Sequence, residues 1–179
     1  MKITPPAPKL LGVALLCLLL AACTGLNGAK PMPQPPLSAA AGSPLSSAFQ
    51  VGTVSHTDKN AMGWETPAWD PDARKLLEEF LKTQHLAGDT ARYGLDATLS
   101  EITPPTPGFD MTAEMTIDYR VVDLSSGAVV FQDTETSSHT SDHGEAFAAF
   151  QRTRYALEGA TRKNYIAFFT KLDASGAIH

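Results

Sequence analysis

The chain has 179 residues, enough for one domain with a real core and too few for two ordinary ones. Apolar residues make up 43% and charged residues 18%, a globular balance that excludes a disordered tail or a coiled coil. Lys and Arg total 14 and Asp and Glu 19, so the net charge is -5, a poor footing for nucleic acid; the two cysteines cannot build a disulfide framework.

The chain opens Met1-Lys2-Ile3, and Lys9 precedes an uncharged run from Leu10 to Ala22. That run is 13 residues long, under the roughly 20 that a membrane-spanning helix needs, so it reads as an export signal. It closes on Leu20-Ala21-Ala22-Cys23. Here the chain closely resembles the bacterial lipoprotein signal, whose lipobox is Leu, two small residues, then Cys. The resemblance implies that residues 1–22 are removed and that Cys23 becomes a lipidated N-terminus bearing fatty-acyl chains such as palmitate. Several chains at about 0.8 kcal/mol per buried CH2 hold a protein stably on a membrane. Cys17 leaves with the signal, so no free thiol remains for cysteine chemistry. Lys2 and Lys9 leave too, taking the charge from -5 to -7. By the same resemblance, Thr24 after the lipidated Cys implies the periplasmic face of the outer membrane in a Gram-negative source.

Beyond Cys23, residues 24–47 carry Pro31, Pro33, Pro35, Pro36 and Pro44 among Gly, Ser and Ala, without apolar periodicity. This composition predicts a partly polyproline tether, so that 23–47 joins the anchor to a single domain over 48–173, with 174–179 a flexible tail. The domain starts with a weakly alternating strand from Phe49 to Ser55. After a loop through Trp64, Asp70 and Pro71 start a helix over 71–87, whose apolar stripe is Ala73, Leu76, Leu77, Phe80 and Leu81, with Gly88 as its left-handed cap. Tyr93, Leu95, Ala97 and Leu99 give a second strand. After the Pro104–Gly108 loop, Met111 to Val121 alternates strictly and gives a third. Asp123–Gly127 turns the chain, and a fourth strand runs from Val129 through Thr136. Asp142 and Glu145 have capping-box spacing before a long helix, about 143–172, with Phe147, Phe150, Leu157, Ala160, Phe168 and Leu172 in its apolar sector. The order β-α-β-β-β-α predicts an α+β fold, two helices on one face of a mainly antiparallel four-stranded sheet, with a wet Thr-, Asp- and Glu-rich face opposite.

No GxGxxG, Walker loop, GxSxG, HExxH or CxxC is present. His139, Asp142 and His143 cluster before the last helix, but a polar helix-entry loop explains them without a metal, and no cofactor or catalytic residue is assigned. Trp64, Trp69 and Phe109 sit on loops, where aromatics either bind or close the end of a core. Arg152, Arg154, Arg162 and Lys163 make the last helix basic, with Glu158 four residues from both Arg154 and Arg162. The wheel puts Arg154 at the border of the apolar sector, and strand parity puts Asp133 and Glu135 on the face of Phe131. A structural ion pair of Arg154 with Asp133 or Glu135 is therefore expected.

Two stretches, Pro104 to Asp123 and Arg152 to Asn164, make the domain resemble a group of uncharacterised small periplasm-facing lipoproteins. The element order is also similar to that of lipopolysaccharide-assembly and transporter-auxiliary lipoproteins. Anchor, tether and small domain together predict a non-enzymatic accessory or assembly factor of the bacterial envelope, with an envelope protein as partner and the membrane held through Cys23. A small-ligand or lipid carrier is the alternative, with an envelope acyltransferase or hydrolase behind it.

Overall fold

In the computed structural model, which describes residues 43–57, 69–145 and 148–179, the elements follow the expected order. They are β1 (Phe49–His56), α1 (Trp69–Thr83), β2 (Tyr93–Thr103), β3 (Met111–Asp123), β4 (Val129–Ser141) and α2 (Ala149–Ser175). The sheet order is β1-β2-β3-β4; β1 lies parallel to β2, and the other two pairings are antiparallel. The parallel pair follows from the helix between β1 and β2, which carries the chain back to the end where β1 began.

Alternation sets the faces. Tyr93, Leu95, Ala97 and Leu99 of β2 and Met111, Ala113, Met115, Ile117, Tyr119 and Val121 of β3 are all buried. Over them lie Leu77, Phe80 and Leu81 of α1 and Tyr165, Phe168, Phe169 and Leu172 of α2. Rings fill the centre: Tyr119 stacks on Phe168 at 4.1 Å, and Phe169 meets Phe49 edge-on at 5.3 Å. One buried amide fixes α2 over β3 and β4. The Tyr119 hydroxyl donates to Asn164 Oδ1 at 2.8 Å, and Asn164 Nδ2 donates to the Glu135 carbonyl at 2.8 Å.

β1 bulges between Val51 and Val54, and the groups this loosens are satisfied locally. Asp96 Oδ1 accepts the Thr53 N–H at 2.7 Å, and the Arg74 guanidinium donates to the Gly52 carbonyl.

Both predicted domain boundaries move outward. Leu45, placed in the tether by composition, is 1% exposed within the core, and Ser43 Oγ donates to Asp173 at 3.0 Å. The Ser47 N–H binds the His85 carbonyl at 2.9 Å. The packed chain therefore begins by residue 43, because one Leu among Pro and Ser is enough to seek the core. The expected tail is also packed: α2 runs to Ser175, Gly176 caps it at φ 63°, and Ile178 is 4% exposed. The other expected tether residues, 24–42, lie outside the described residues.

Helix ends differ in instructive ways. The chain leaves α1 through His85, at φ 58°, not through Gly88. Gly88 serves a close approach, since a Cβ there would overlap the Ser47 carbonyl. Asp142 Oδ1 accepts the N–H groups of Gly144 and Glu145, at 2.7 and 3.0 Å, closing a turn ahead of α2. The helix itself starts after Ala148 with no side-chain cap. Phe150, expected on the buried stripe, is 75% exposed. Thr153 Oγ1 already lies on the sulfur of Met111, the first residue of β3, so the first turn of α2 overhangs the end of that strand.

Candidate functional site

With both helices on one face, no element among the described residues covers the other face of the sheet, and its side chains form rows across the strands. Thr112 and Thr140 are cross-strand partners with hydroxyls 2.7 Å apart, and Thr116 and Thr136 repeat the pairing at 2.9 Å. Thr134 Oγ1 donates to Asp118 at 2.6 Å, and the Ser55 and Thr98 hydroxyls meet at 3.2 Å. Each such pair stabilises the sheet by roughly 0.2–1 kcal/mol, and together they hold the side chains in an ordered array. Asp96, Glu101, Glu114 and Asp118 stand in the same face against Arg120, so the array is anionic. The sequence carried this face openly, as the polar positions alternating with the buried ones along β3 and β4.

The strand ends sort the remaining candidates. β1, β2 and β4 end, and β3 and α2 begin, at one end of the sheet; residue 43 and the C-terminus lie at the other. Phe109, on the loop between β2 and β3, is 79% exposed at the first end, and its ring lies 6.1 Å from that of His143. It is no lid on the core. Arg152, itself buried, holds that loop by donating to the Gly108 carbonyl at 3.1 Å. Trp69 is the first residue of α1, with its side chain outside the described residues; Trp64 and Cys23 lie outside them altogether.

The polar cluster before α2 is divided among separate tasks. His139 belongs to β4, and its ring lies beneath Gly159, where a Cβ would overlap it. Its Nε2 stands 3.8 Å from Glu145. Burial lowers the His139 pKa, as does the nearby Lys163 charge, while Glu145 partly offsets both. Asp142 closes its turn and His143 lies against Phe109. Among the described residues no three His, Cys, Asp or Glu are grouped as a metal would need.

The expected Arg154 cross-pair is replaced by another. Arg154 Nε binds Glu158 at 2.8 Å on the exposed side of α2, and Lys171 takes Asp133 at 3.0 Å and Glu135 at 2.5 Å. The angular argument is sound for Glu135 but leaves out the axial one. Arg154 and Lys171 are 17 residues apart, about 25 Å along a helix, and Asp133 and Glu135 lie level with the later residue. A buried Asp123 carboxylate, held well below the usual range by the Ser125 hydroxyl and Arg92, organises the hairpin between β3 and β4. A shallow groove between α1 and β1 passes Ser47, Val51, Lys75, Glu78 and Lys82 with charges of both signs, away from Phe109.

No family model matches the chain, and no curated protein does. Solved structures do. The PelC dodecamer from Paraburkholderia phytofirmans is 18% identical at a TM-score of 0.50, covering 78% of this chain and 93% of that one. Protein XCC0632 from Xanthomonas campestris is 16% identical at 0.50, covering 82% and 91%. The hypothetical protein CT253 from Chlamydia trachomatis is 8% identical at 0.50, covering 72% and 96%. At these identities the likeness is one of architecture: the chain shares the α+β fold of these proteins over nearly their whole lengths.

Proposed function

We propose that this is a lipid-anchored protein of the bacterial envelope whose domain acts without chemistry of its own, as an accessory or assembly factor for an envelope complex. The carrying observation is the asymmetry of the sheet. One face is sealed by two helices over a core of stacked rings, and the other is an ordered, hydroxyl-rich surface. A ring-filled core is a poor carrier's cavity, whereas an ordered polar face fits a protein surface. The lipobox Leu20-Ala21-Ala22-Cys23 supports the anchor, and the likeness of fold to a dodecameric protein supports work in multiple copies.

The outer membrane, facing the periplasm, is the address that Thr24 suggests. Two experiments test the reading. Cys23→Ser should abolish labelling by a clickable palmitate and release the chain from membranes or leave it as precursor; normal processing and fractionation would refute the anchor. A photo-crosslinker at Thr136 should give discrete adducts in whole cells, and one at Lys75 on α1 should not. Adducts at Lys75 with none at Thr136 would refute the open face as the working surface.

A further inference from the structure

Arg162 is buried short of acceptors. The residue is 8% exposed, and its Nε is sealed with no hydrogen-bond acceptor among the described residues. Its nearest carboxylate among them is Glu79 of α1, whose Oε1 stands 4.0 Å from Nη2, beyond hydrogen-bond reach, on a side chain that is 60% exposed. A guanidinium keeps its charge under all ordinary conditions and brings five donors, so burial leaves a full charge to be matched.

Among the described residues the surroundings supply no other anion. Glu158, one turn earlier on α2, is engaged by Arg154, and Lys163 next in the chain turns away to the Ser138 carbonyl. Tyr165, one turn on, directs its hydroxyl to the Ala73 carbonyl at 3.4 Å. That phenol is itself buried, and the Arg162 charge lies close enough to ease its ionisation against the effect of burial. The seam between α1 and α2 thus holds a cation, a neutral phenol and one acid that stops short.

We propose that Arg162 marks a binding site for a carboxylate at the seam between α1 and α2. With Nε sealed, a ligand must approach the Nη1–Nη2 edge, and the planar carboxylate matches that fork with two parallel hydrogen bonds. Glu79 at the rim offsets much of the guanidinium charge, so the fit of the planar fork to a carboxylate, more than net charge, selects the ligand. The source is either a small free acid or an acidic side chain of another protein; the chemistry at Arg162 is the same.

The test is a titration of the full chain, labelled with 15N-arginine, followed at the Arg162 Nε–Hε resonance. Sodium acetate at constant ionic strength should shift that resonance saturably, and Glu79→Gln should tighten the binding several-fold. Uniformly 15N-labelled Arg162→Lys, which lacks that resonance, should show weaker binding through the backbone amides around residue 162 while keeping the fold. An acetylated tetraglutamate peptide binding about tenfold more tightly than acetate assigns the site to a protein-borne carboxylate; equal binding assigns it to a small acid. No saturable shift in either the wild type or Glu79→Gln overturns the proposal. So does tighter binding of inorganic phosphate than of acetate. A marked fall in the urea midpoint of Glu79→Gln would also overturn it, because Glu79 would then be the internal partner.

Discussion

At Gly159 the backbone of α2 lies directly against the His139 ring of β4, and replacing it gives a sharp test of the packing. Glycine inside a helix ordinarily costs about 0.8–1.0 kcal/mol relative to alanine, so Gly159→Ala should stabilise an unconstrained helix by that much. Here the new Cβ would overlap the body of the His139 ring, at Cγ as well as Cδ2, so a simple swing of the ring's tip does not relieve it. The ring is held between strand and helix, its side chain only 13% exposed. Forcing a methyl group into a filled interior costs about 1–3 kcal/mol, which cancels or outweighs the gain in propensity. Gly159→Ala is therefore expected to be neutral to destabilising by about 2 kcal/mol. In a His139→Ala background the obstruction is gone, and the same substitution should stabilise by up to about 1 kcal/mol. The coupling of about 1–3 kcal/mol between the two sites is read from four urea melts at 25 °C, followed by far-ultraviolet circular dichroism on residues 24–179. If Gly159→Ala stabilises equally in both backgrounds, within about 0.5 kcal/mol, the helix does not rest on that ring and the placement of α2 is wrong.

Leu45→Ala should cost about 3–5 kcal/mol in the same melts, as for other wholly buried leucines, although composition alone would assign Leu45 to a solvent-exposed spacer; a cost below about 0.5 kcal/mol would return it there. Lys171→Ala should lower the urea midpoint visibly because it abandons two carboxylates, one on a residue only 6% exposed. Arg154→Ala, which breaks a surface pair worth about 0.3–0.5 kcal/mol, should move it far less. The lowered His139 pKa makes a stability contribution that is complete above the ordinary histidine value of about 6.5 and is lost as the pH falls from there through the folded value. Unfolding free energies between pH 8 and 5 should therefore decline more steeply for the wild type than for His139→Gln; parallel curves would show that His139 titrates alike folded and unfolded.

Strict alternation, as in Met111 to Val121, is a signal that survives without any tertiary knowledge, because a strand with one buried face has no other pattern to show. The element order, the antiparallel hairpins and the open polar face all follow from it. Axial position does not. Arg154 and Lys171 stand about 100° apart on the wheel, at opposite borders of the apolar sector, and the level at which α2 crosses β4 decides which of them meets Glu135. Phe150 fails in the same way, since its angle is apolar but the sheet has already ended beneath it. Arg162, two turns past Arg154, reads as a surface charge until α1 is laid beside it. Leu45 escapes for a different reason: a single anchoring residue has no period, and a Pro-rich background hides it.

The entry of the chain at Leu45 also has a mechanical meaning. If Cys23 is held in a membrane while a partner holds the sheet, tension arrives at residue 43 and passes at once into the domain. It meets the Ser43–Asp173 contact, the buried Leu45 and the Ser47–His85 and Phe49–Leu86 hydrogen bonds before it reaches β1. There it runs along a strand paired in parallel with β2, so the backbone bonds of that pair share the load in shear and do not open one by one from an end. A pull on the anchor is thus borne by the core and the edge of the sheet together, and the junction transmits force to the surface that a partner would grip.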